Sequence, residues 1–162
     1  MPSFVYCPKC GTALVDFTDH EDRIRQRCPS CRFIHYDNPT PVVAAIVEHD
    51  GEIILVQNKG WPAHFFGLVS GFLEKDEEPA EAVLREVEEE LGLKGELVSF
   101  VGIYSFSMMN QVILTWHVRA SGDVVVGEEL AAIKRVARHT LRPWSMGTGK
   151  AVADWLSGRT NT

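Results

Sequence analysis

Apolar residues are spread unevenly along the chain, and their rhythm changes from segment to segment. From Val42 to Glu48 they run almost without interruption, and after Asp50-Gly51 they return from Glu52 to Gln57. Runs rich in Val and Ile, split by an Asp-Gly pair, predict two strands joined by a tight hairpin. Phe65 to Phe72 contains Gly67 and Gly71 and predicts a loop ending in a short strand. From Pro79 to Leu91 the period lengthens. At about 100° per residue, Ala80, Val83, Leu84, Val87 and Leu91 fall on one arc of a helix. Pro79 suits its first turn and Gly92 suits the stop just past its end. Leu97–Phe106, Gln111–Ala120 and Ala131–Val136 read as further strands, with Met108, Met109 and Asn110 at a turn. A closing helix is expected over Thr148–Leu156, where Val152, Trp155 and Leu156 share a face. The mixture predicts an α/β sheet flanked by helices.

The longest apolar run, Val42–Val47, is far too short to span a bilayer, so no membrane role is expected. No basic stretch precedes an apolar core at the N-terminus, so no export leader is expected and the cytoplasm is the expected location. All four cysteines lie before Tyr36. Two parts are therefore expected, residues 1–36 and 37–162, joined by Asn38-Pro39-Thr40-Pro41 and packed together because that connector is short.

Cys7-Pro-Lys-Cys10 and Cys28-Pro-Ser-Cys31 form a paired Cys-x2-Cys set. Each pair makes a tight knuckle, and four thiolates suit tetrahedral Zn²⁺ in a closed, structural site. Disulfides are disfavoured in a chain without an export signal.

Charge adds a second feature. Between Glu74 and Glu90, nine acids against Lys75 and Arg85 give this segment −7, which leaves the rest of the chain near +1 of the overall −6. That distribution argues against a broad basic surface for duplex DNA. On the helical wheel Glu86, Glu89 and Glu90 are neighbours beside the apolar arc, at i, i+3 and i+4. Like charges at that spacing repel, and a bound Mg²⁺ or Mn²⁺ would offset the repulsion through hard carboxylate oxygens. Arg85 is placed to restrain one of these carboxylates. Taken alone, three clustered glutamates on a helix more often form a solvated face than a metal site, so the pattern leaves both open.

The run Gly71-x5-Glu77-x7-Arg85-Glu86-Val87-x-Glu89-Glu90-x-Gly92-Leu93 resembles the Nudix box with every defining position filled. The resemblance implies a Nudix α/β/α sandwich with a mixed sheet, preceded here by a small zinc ribbon. It implies Mg²⁺- or Mn²⁺-dependent hydrolysis of a nucleoside diphosphate linked to another moiety, of the NADH/NAD, ADP-ribose or FAD class. On that likeness Glu86, Glu89 and Glu90 ligate the metal, Glu77 supports the site, and Arg85 orients a catalytic carboxylate. Glu129, with Glu128 as the weaker candidate, supplies an acidic ligand or base from outside the helix.

A zinc ribbon before such a domain is similar to the NADH pyrophosphatase group. The post-box signature of that group survives only in fragments over Tyr104–Val112, so the resemblance does not fix NADH as substrate. The expected partner is a nucleotide-type small molecule with a diphosphate, nucleic acid entering only as a capped RNA end. The family likeness is compatible with a homodimer, although no interface is legible. Phe72, Tyr104 and Phe106, with Phe66 and Trp116, are candidates for stacking on a base, and Trp61 for a rim position. Each aromatic also has core filling as its ordinary role. His64 lies near the Gly67 loop, and no histidine shows ligand spacing. The competing expectation is a regulator that keeps the fold to sense a nucleotide or to bind nucleic acid. The intact Arg85-Glu86 and Glu89-Glu90 pairs favour the enzyme.

Overall fold

The computed structural model describes residues 4–159. Met1 to Ser3, the start of the expected ribbon and of the stretch read for a leader, lie outside the described residues, as do Thr160 to Thr162 at the end of the second part. The chain divides into two compact units between Pro39 and Thr40.

The first unit is a three-stranded antiparallel sheet, β1 (Val15–Thr18), β2 (Ile24–Arg27) and β3 (Ile34–His35), in that order. Two knuckles bring the cysteines together. In the first, Gly11 N–H donates to the Cys7 carbonyl at 2.9 Å, and in the second, Arg32 N–H donates to the Cys28 carbonyl at 3.1 Å. The residue that closes each knuckle has left-handed backbone, Gly11 at φ +72° and Arg32 at φ +62°. All four sulfurs lie within 4.8 Å of one another. The sheet itself has little core: Val15 and Ile24 are exposed, and Cys7 and Cys28 are the buried apolar residues of this unit.

The second unit holds a six-stranded mixed sheet. Its strands are β4 (Thr40–His49), β5 (Glu52–Asn58), β6 (Val69–Phe72), β7 (Lys94–Phe106), β8 (Gln111–Ser121) and β9 (Leu130–Ala137). The order is β7-β8-β4-β5-β9, with β6 also paired to β4. β4 runs parallel to β8 and antiparallel to β5 and β6. The β4–β5 hairpin turns on Asp50 and Gly51, both at positive φ as that tight turn requires.

Alternation along β4 and β5 sorts the core onto two faces. Val43, Ala45, Val47, Ile54 and Val56 point into one apolar cluster with Val83, Val87 and Leu91 of helix α1 (Pro79–Leu91). Val42, Ala44, Ile46, Ile53 and Leu55 point into the other with Ala151, Val152 and Trp155 of helix α2 (Gly149–Leu156). A sheet buried on both faces explains why β4 reads as an unbroken apolar run. This is the expected α/β/α sandwich. Among the described residues, no helix is long and apolar enough to cross a membrane.

Helix α1 ends where the sequence places its stop. Gly92 is left-handed, and its N–H donates to the Glu88 carbonyl. A Cβ at Gly92 would lie 2.9 Å from that of Val125, so glycine also lets the 122–129 loop close over the helix end.

Candidate active site

Arg85 is the hub around which the α1 carboxylates are arranged. Its Nε and Nη2 grip both oxygens of Glu77 at 2.6 and 3.0 Å, a fork-to-fork pairing. Nη2 also donates to the Phe72 carbonyl at 3.2 Å, which ties the helix to β6. Nη1 bridges Glu86 at 2.7 Å and Glu89 at 3.0 Å. These bonds hold Glu77 below the usual carboxylate range, with the Arg85 hydrogen bond as the largest cause. In return they hold Arg85 firmly cationic.

Glu86 and Glu90 are raised instead. For Glu86 the first cause is burial; Arg85 opposes it, and the charges of Glu89 and Glu129 add to it. Glu90, which the wheel places beside the apolar arc, is only 6% exposed. Burial, then the Glu86 charge, push it up to about 8 against the Ser70 backbone N–H, with Glu129 and Glu89 contributing further. One of its oxygens, Oε2, is buried without any hydrogen-bond partner. Such a group is costly unless something else satisfies it.

Two glycines make this crowding possible. At Gly71 of β6 a Cβ would lie within about 2 Å of the Glu86 carboxylate, so only a bare backbone can cradle it. At Gly127 a Cβ would lie 2.5 Å from the Glu89 carbonyl oxygen. The 122–129 loop therefore lies flush on the last turn of α1, where Gly127 N–H donates to the Glu90 carbonyl at 2.8 Å. It continues to Glu129, whose carbonyl accepts from Lys59 N–H at 2.9 Å. That path brings Glu129 into electrostatic reach of Glu86 and Glu90. Glu128 and Glu129 are both exposed.

β6 is also one wall of a cavity of about 490 Å³. Trp61, Phe65, Phe72 and Phe106 line it with Met108, Met109, Trp144 and Met146. Asn58, Ser70, Gln111 and Thr148 supply its polar groups. Gln57 buttresses the 59–66 loop through the Pro62 and Phe65 carbonyls. Trp61 packs edge-on against Phe65, with ring centroids 5.1 Å apart.

Phe72 and Phe106 thus reach the cavity, and Trp61 sits in its wall. Tyr104 does not, and its expected stacking role is corrected. It is buried in the α2-side core, and its hydroxyl donates to Asp154 at 3.1 Å. Burial and that carboxylate raise its phenol to about 12, which marks a structural tether and not an open ring. Phe66 packs against the α2-side core and Trp116 against the α1-side core, and His64 is exposed outside the cavity. Trp144, Met146, Asn58 and Gly127 were not singled out in the sequence, because each arrives by folding from outside the box.

The donor set fits a divalent cation. Hard carboxylate oxygens converge, one is buried and unsatisfied, and Gly71 leaves a cradle that a Cβ would fill. Among the described residues, however, only the four cysteines hold all their donor atoms within 4.8 Å. Glu86, Glu89 and Glu90 do not meet that limit as a set.

A NUDIX domain model matches residues 38–155. The chain belongs to the Nudix hydrolase family. A second model, the Nudix N-terminal zinc ribbon, matches residues 5–37 and covers the four-cysteine cluster. The chain is similar to the NAD-capped RNA hydrolase NudC of Pseudomonas aeruginosa, 28% identical over 125 residues, which cover 76% of this chain and 44% of that protein. It therefore spans less than half of that relative's length. A NUDIX hydrolase from Nitrosomonas europaea superposes with a TM-score of 0.81 at 23% identity, covering 96% of this chain and 92% of that one. An ADP-ribose pyrophosphatase from Streptococcus suis superposes at 0.62 and 22% identity, covering 75% and 92%. At those identities the two structures share the fold with this Nudix chain.

In the zinc-ribbon unit the thiols do not titrate alike. Hydrogen bonding with Thr12, side chain first and then backbone, draws Cys10 down to about 6. For Cys31 a backbone hydrogen bond from Phe33 is the largest single influence and lowers it, but burial and the three neighbouring thiols together raise it to about 12. Four crowded sulfurs share protons until a cation replaces them.

Proposed function

We propose that this protein hydrolyses the diphosphate bond of a nucleoside diphosphate joined to a second moiety, in the NAD, ADP-ribose and FAD class. NAD-capped RNA ends are included among its substrates. The observation that carries this reading is the buried, partnerless Oε2 of Glu90 beside Glu86, packed against Ser70 and Gly71 of β6, the strand that lines an aromatic cavity. Glu86, Glu89 and Glu90, supported by Glu77, would hold Mg²⁺ or Mn²⁺. When bound, the cation would neutralise charge on the diphosphate and favour loss of the leaving phosphate.

The chain's own residues do the rest. Trp61, Phe72 and Phe106 stack on a base and exclude water. Arg85 fixes the carboxylates in one arrangement. Water adds to one phosphorus, the bridging P–O bond breaks with its electron pair passing to the leaving phosphate, and Glu129 takes the proton. The products are a nucleoside monophosphate and the other phosphorylated half. In the ribbon, Cys7, Cys10, Cys28 and Cys31 hold Zn²⁺ as a structural ion.

The test is a panel of NADH, NAD⁺, ADP-ribose, FAD, diadenosine polyphosphates and NAD-capped RNA with Mg²⁺ and with Mn²⁺, products being identified by mass. Cleavage at the anhydride, lost in Glu89→Gln with the fold intact, is the expected result. No turnover anywhere in the panel with either metal would sink the reading.

A further inference from the structure

The zinc-ribbon unit carries four arginines on or beside its sheet, and they are not equivalent. Arg23 pairs with Asp19 and Glu21, and Arg25 pairs with Asp19 at 3.2 Å while donating to the Tyr36 carbonyl. Those two are consumed in holding the β1–β2 turn. Arg27 and Arg32 form no ion pair among the described residues, and both are exposed.

Both of these arginines line a single groove of about 420 Å³ within this unit. Its walls are Val15, Phe17, Ile34 and Pro29, with Cys28 of the cysteine cluster at its side. The strand register explains the grouping. Val15 lies opposite Arg27, and Arg27 lies opposite Ile34, so the three side chains share one face of the sheet. The Arg27 guanidinium stands 5.1 Å from the centre of the Phe17 ring. An aromatic ring with Arg27 over one face, an apolar strip and two arginines without carboxylate partners among the described residues are parts that a phosphodiester chain with unstacked bases can use.

Backbone strain points the same way. The two knuckles are built alike, and the first closes on a left-handed glycine, Gly11. The second places Arg32 in that conformation at φ +62°. For a residue with a Cβ this costs on the order of 1 kcal/mol, a cost that glycine would avoid. No intramolecular ion pair repays the arginine, so its side chain is kept for something outside the chain.

We propose that this groove binds single-stranded RNA, with Arg27 and Arg32 on successive phosphates and Phe17 under a base. The assignment to RNA rests on the capped-RNA reading above; the groove's affinity for a single strand does not. It gives the ribbon unit a task beyond stability, that of binding a single strand.

The test uses the full-length, zinc-loaded protein and a short fluorescein-labelled single-stranded oligoribonucleotide, followed by anisotropy across a salt series. With two phosphate contacts, the Arg27→Gln/Arg32→Gln double variant should bind roughly tenfold or more weakly, and its log–log salt slope should shrink by about 1.4. Arg32→Gly separates binding from folding. It relaxes the backbone, so it should be at least as stable as the parent while still binding RNA more weakly. Hydrolysis of free NAD⁺ should be unchanged in both variants, whereas kcat/KM on NAD-capped RNA should fall. Unchanged RNA affinity in both variants, or equal affinity for a blunt duplex, overturns the groove. Equal binding of single-stranded DNA overturns the assignment to RNA. If free NAD⁺ is not cleaved by the parent but binding still depends on both arginines, the proposed catalysis fails and the groove stands.

Discussion

Replacing Glu90 by glutamine isolates the electrostatic tension at the centre of the site. The carboxyl of Glu90 is raised from an ordinary 4.5 to about 8, mainly by burial and secondarily by Glu86. A raised carboxyl means that the folded protein keeps a proton which the unfolded chain has already released. Without a divalent cation, stability therefore falls as pH rises between these two values, and it levels off above the folded one. The slope in the middle of that window is about 1.4 kcal/mol per pH unit. Between roughly pH 6 and pH 8 the loss integrates to about 2 kcal/mol, since the proton is half released at the upper limit. Glutamine cannot ionise, so the variant should lack this component. Groups that do not interact with Glu90 are common to both proteins and cancel in the difference, whereas Glu86 titrates with Glu90 as a pair, so the difference reads that pair.

Urea unfolding followed by tryptophan fluorescence reads the right unit, because Trp61, Trp116, Trp144 and Trp155 all lie after Thr40. Parent and Glu90→Gln are compared in buffers without added divalent ions. The parent should lose stability towards alkaline pH relative to the variant. Added Mn²⁺ should restore the parent most at the alkaline end and help the variant far less, because metal uptake expels the Glu90 proton. Parallel stability curves for the two proteins across this window would refute the reasoning.

Other outcomes follow from the same geometry. Gly71→Ala drives a methyl group into the Glu86 carboxylate, and a displacement of this size should lower turnover about a hundredfold while tryptophan-monitored stability changes little. Gly127→Ala pushes the 122–129 loop off α1, where a Cβ would meet the Glu89 carbonyl at 2.5 Å. It should destabilise the fold by about 1–3 kcal/mol and lower kcat more than it raises KM, as measured by urea unfolding and steady-state kinetics. Trp61→Ala removes one stacking wall of the cavity and should raise KM for ADP-ribose roughly tenfold with kcat little changed. Cys28→Ser should abolish the zinc content measured by atomic absorption and unfold the ribbon, with the tryptophan signal of the second unit left in place.

Much of this arrangement is legible in the chain because it depends on local rules. Gly92 stops α1 where a left-handed residue is needed, and Asp50-Gly51 turns the hairpin by its preference for positive φ. The spacing of Glu86, Glu89 and Glu90 makes them neighbours whatever surrounds the helix. What the helix meets is another matter. Periodicity places Glu90 beside the apolar arc but says nothing about the loop that will cover it. That loop is held by Gly127, whose importance is a close approach to the Glu89-Glu90 backbone and leaves no mark in composition. Tyr104 shows the converse. An aromatic beside candidate site residues looks available, until Asp154, far away in sequence, takes its hydroxyl and draws the ring into the core.

The same distinction separates the two knuckles of the ribbon. Cys-x2-Cys spacing predicts both turns equally, and Gly11 is the residue such a turn prefers. Arg32 departs from that preference by a single position, and from the sequence alone the departure is only a charged residue among several. Its meaning appears when the acids are assigned. Asp19 and Glu21 hold Arg23 and Arg25, which leaves Arg27 and Arg32 without carboxylate partners on one face with Phe17. Net charge therefore misleads here, because cancellation in the count is not cancellation in space. A ribbon whose acids and arginines nearly balance still presents two arginines without carboxylate partners among the described residues in one groove, just as a chain of net −6 concentrates its negative charge on one segment. In both places the residues that break a local rule, a buried glutamate and a left-handed arginine, are those to which the proposals above assign a partner from outside the chain.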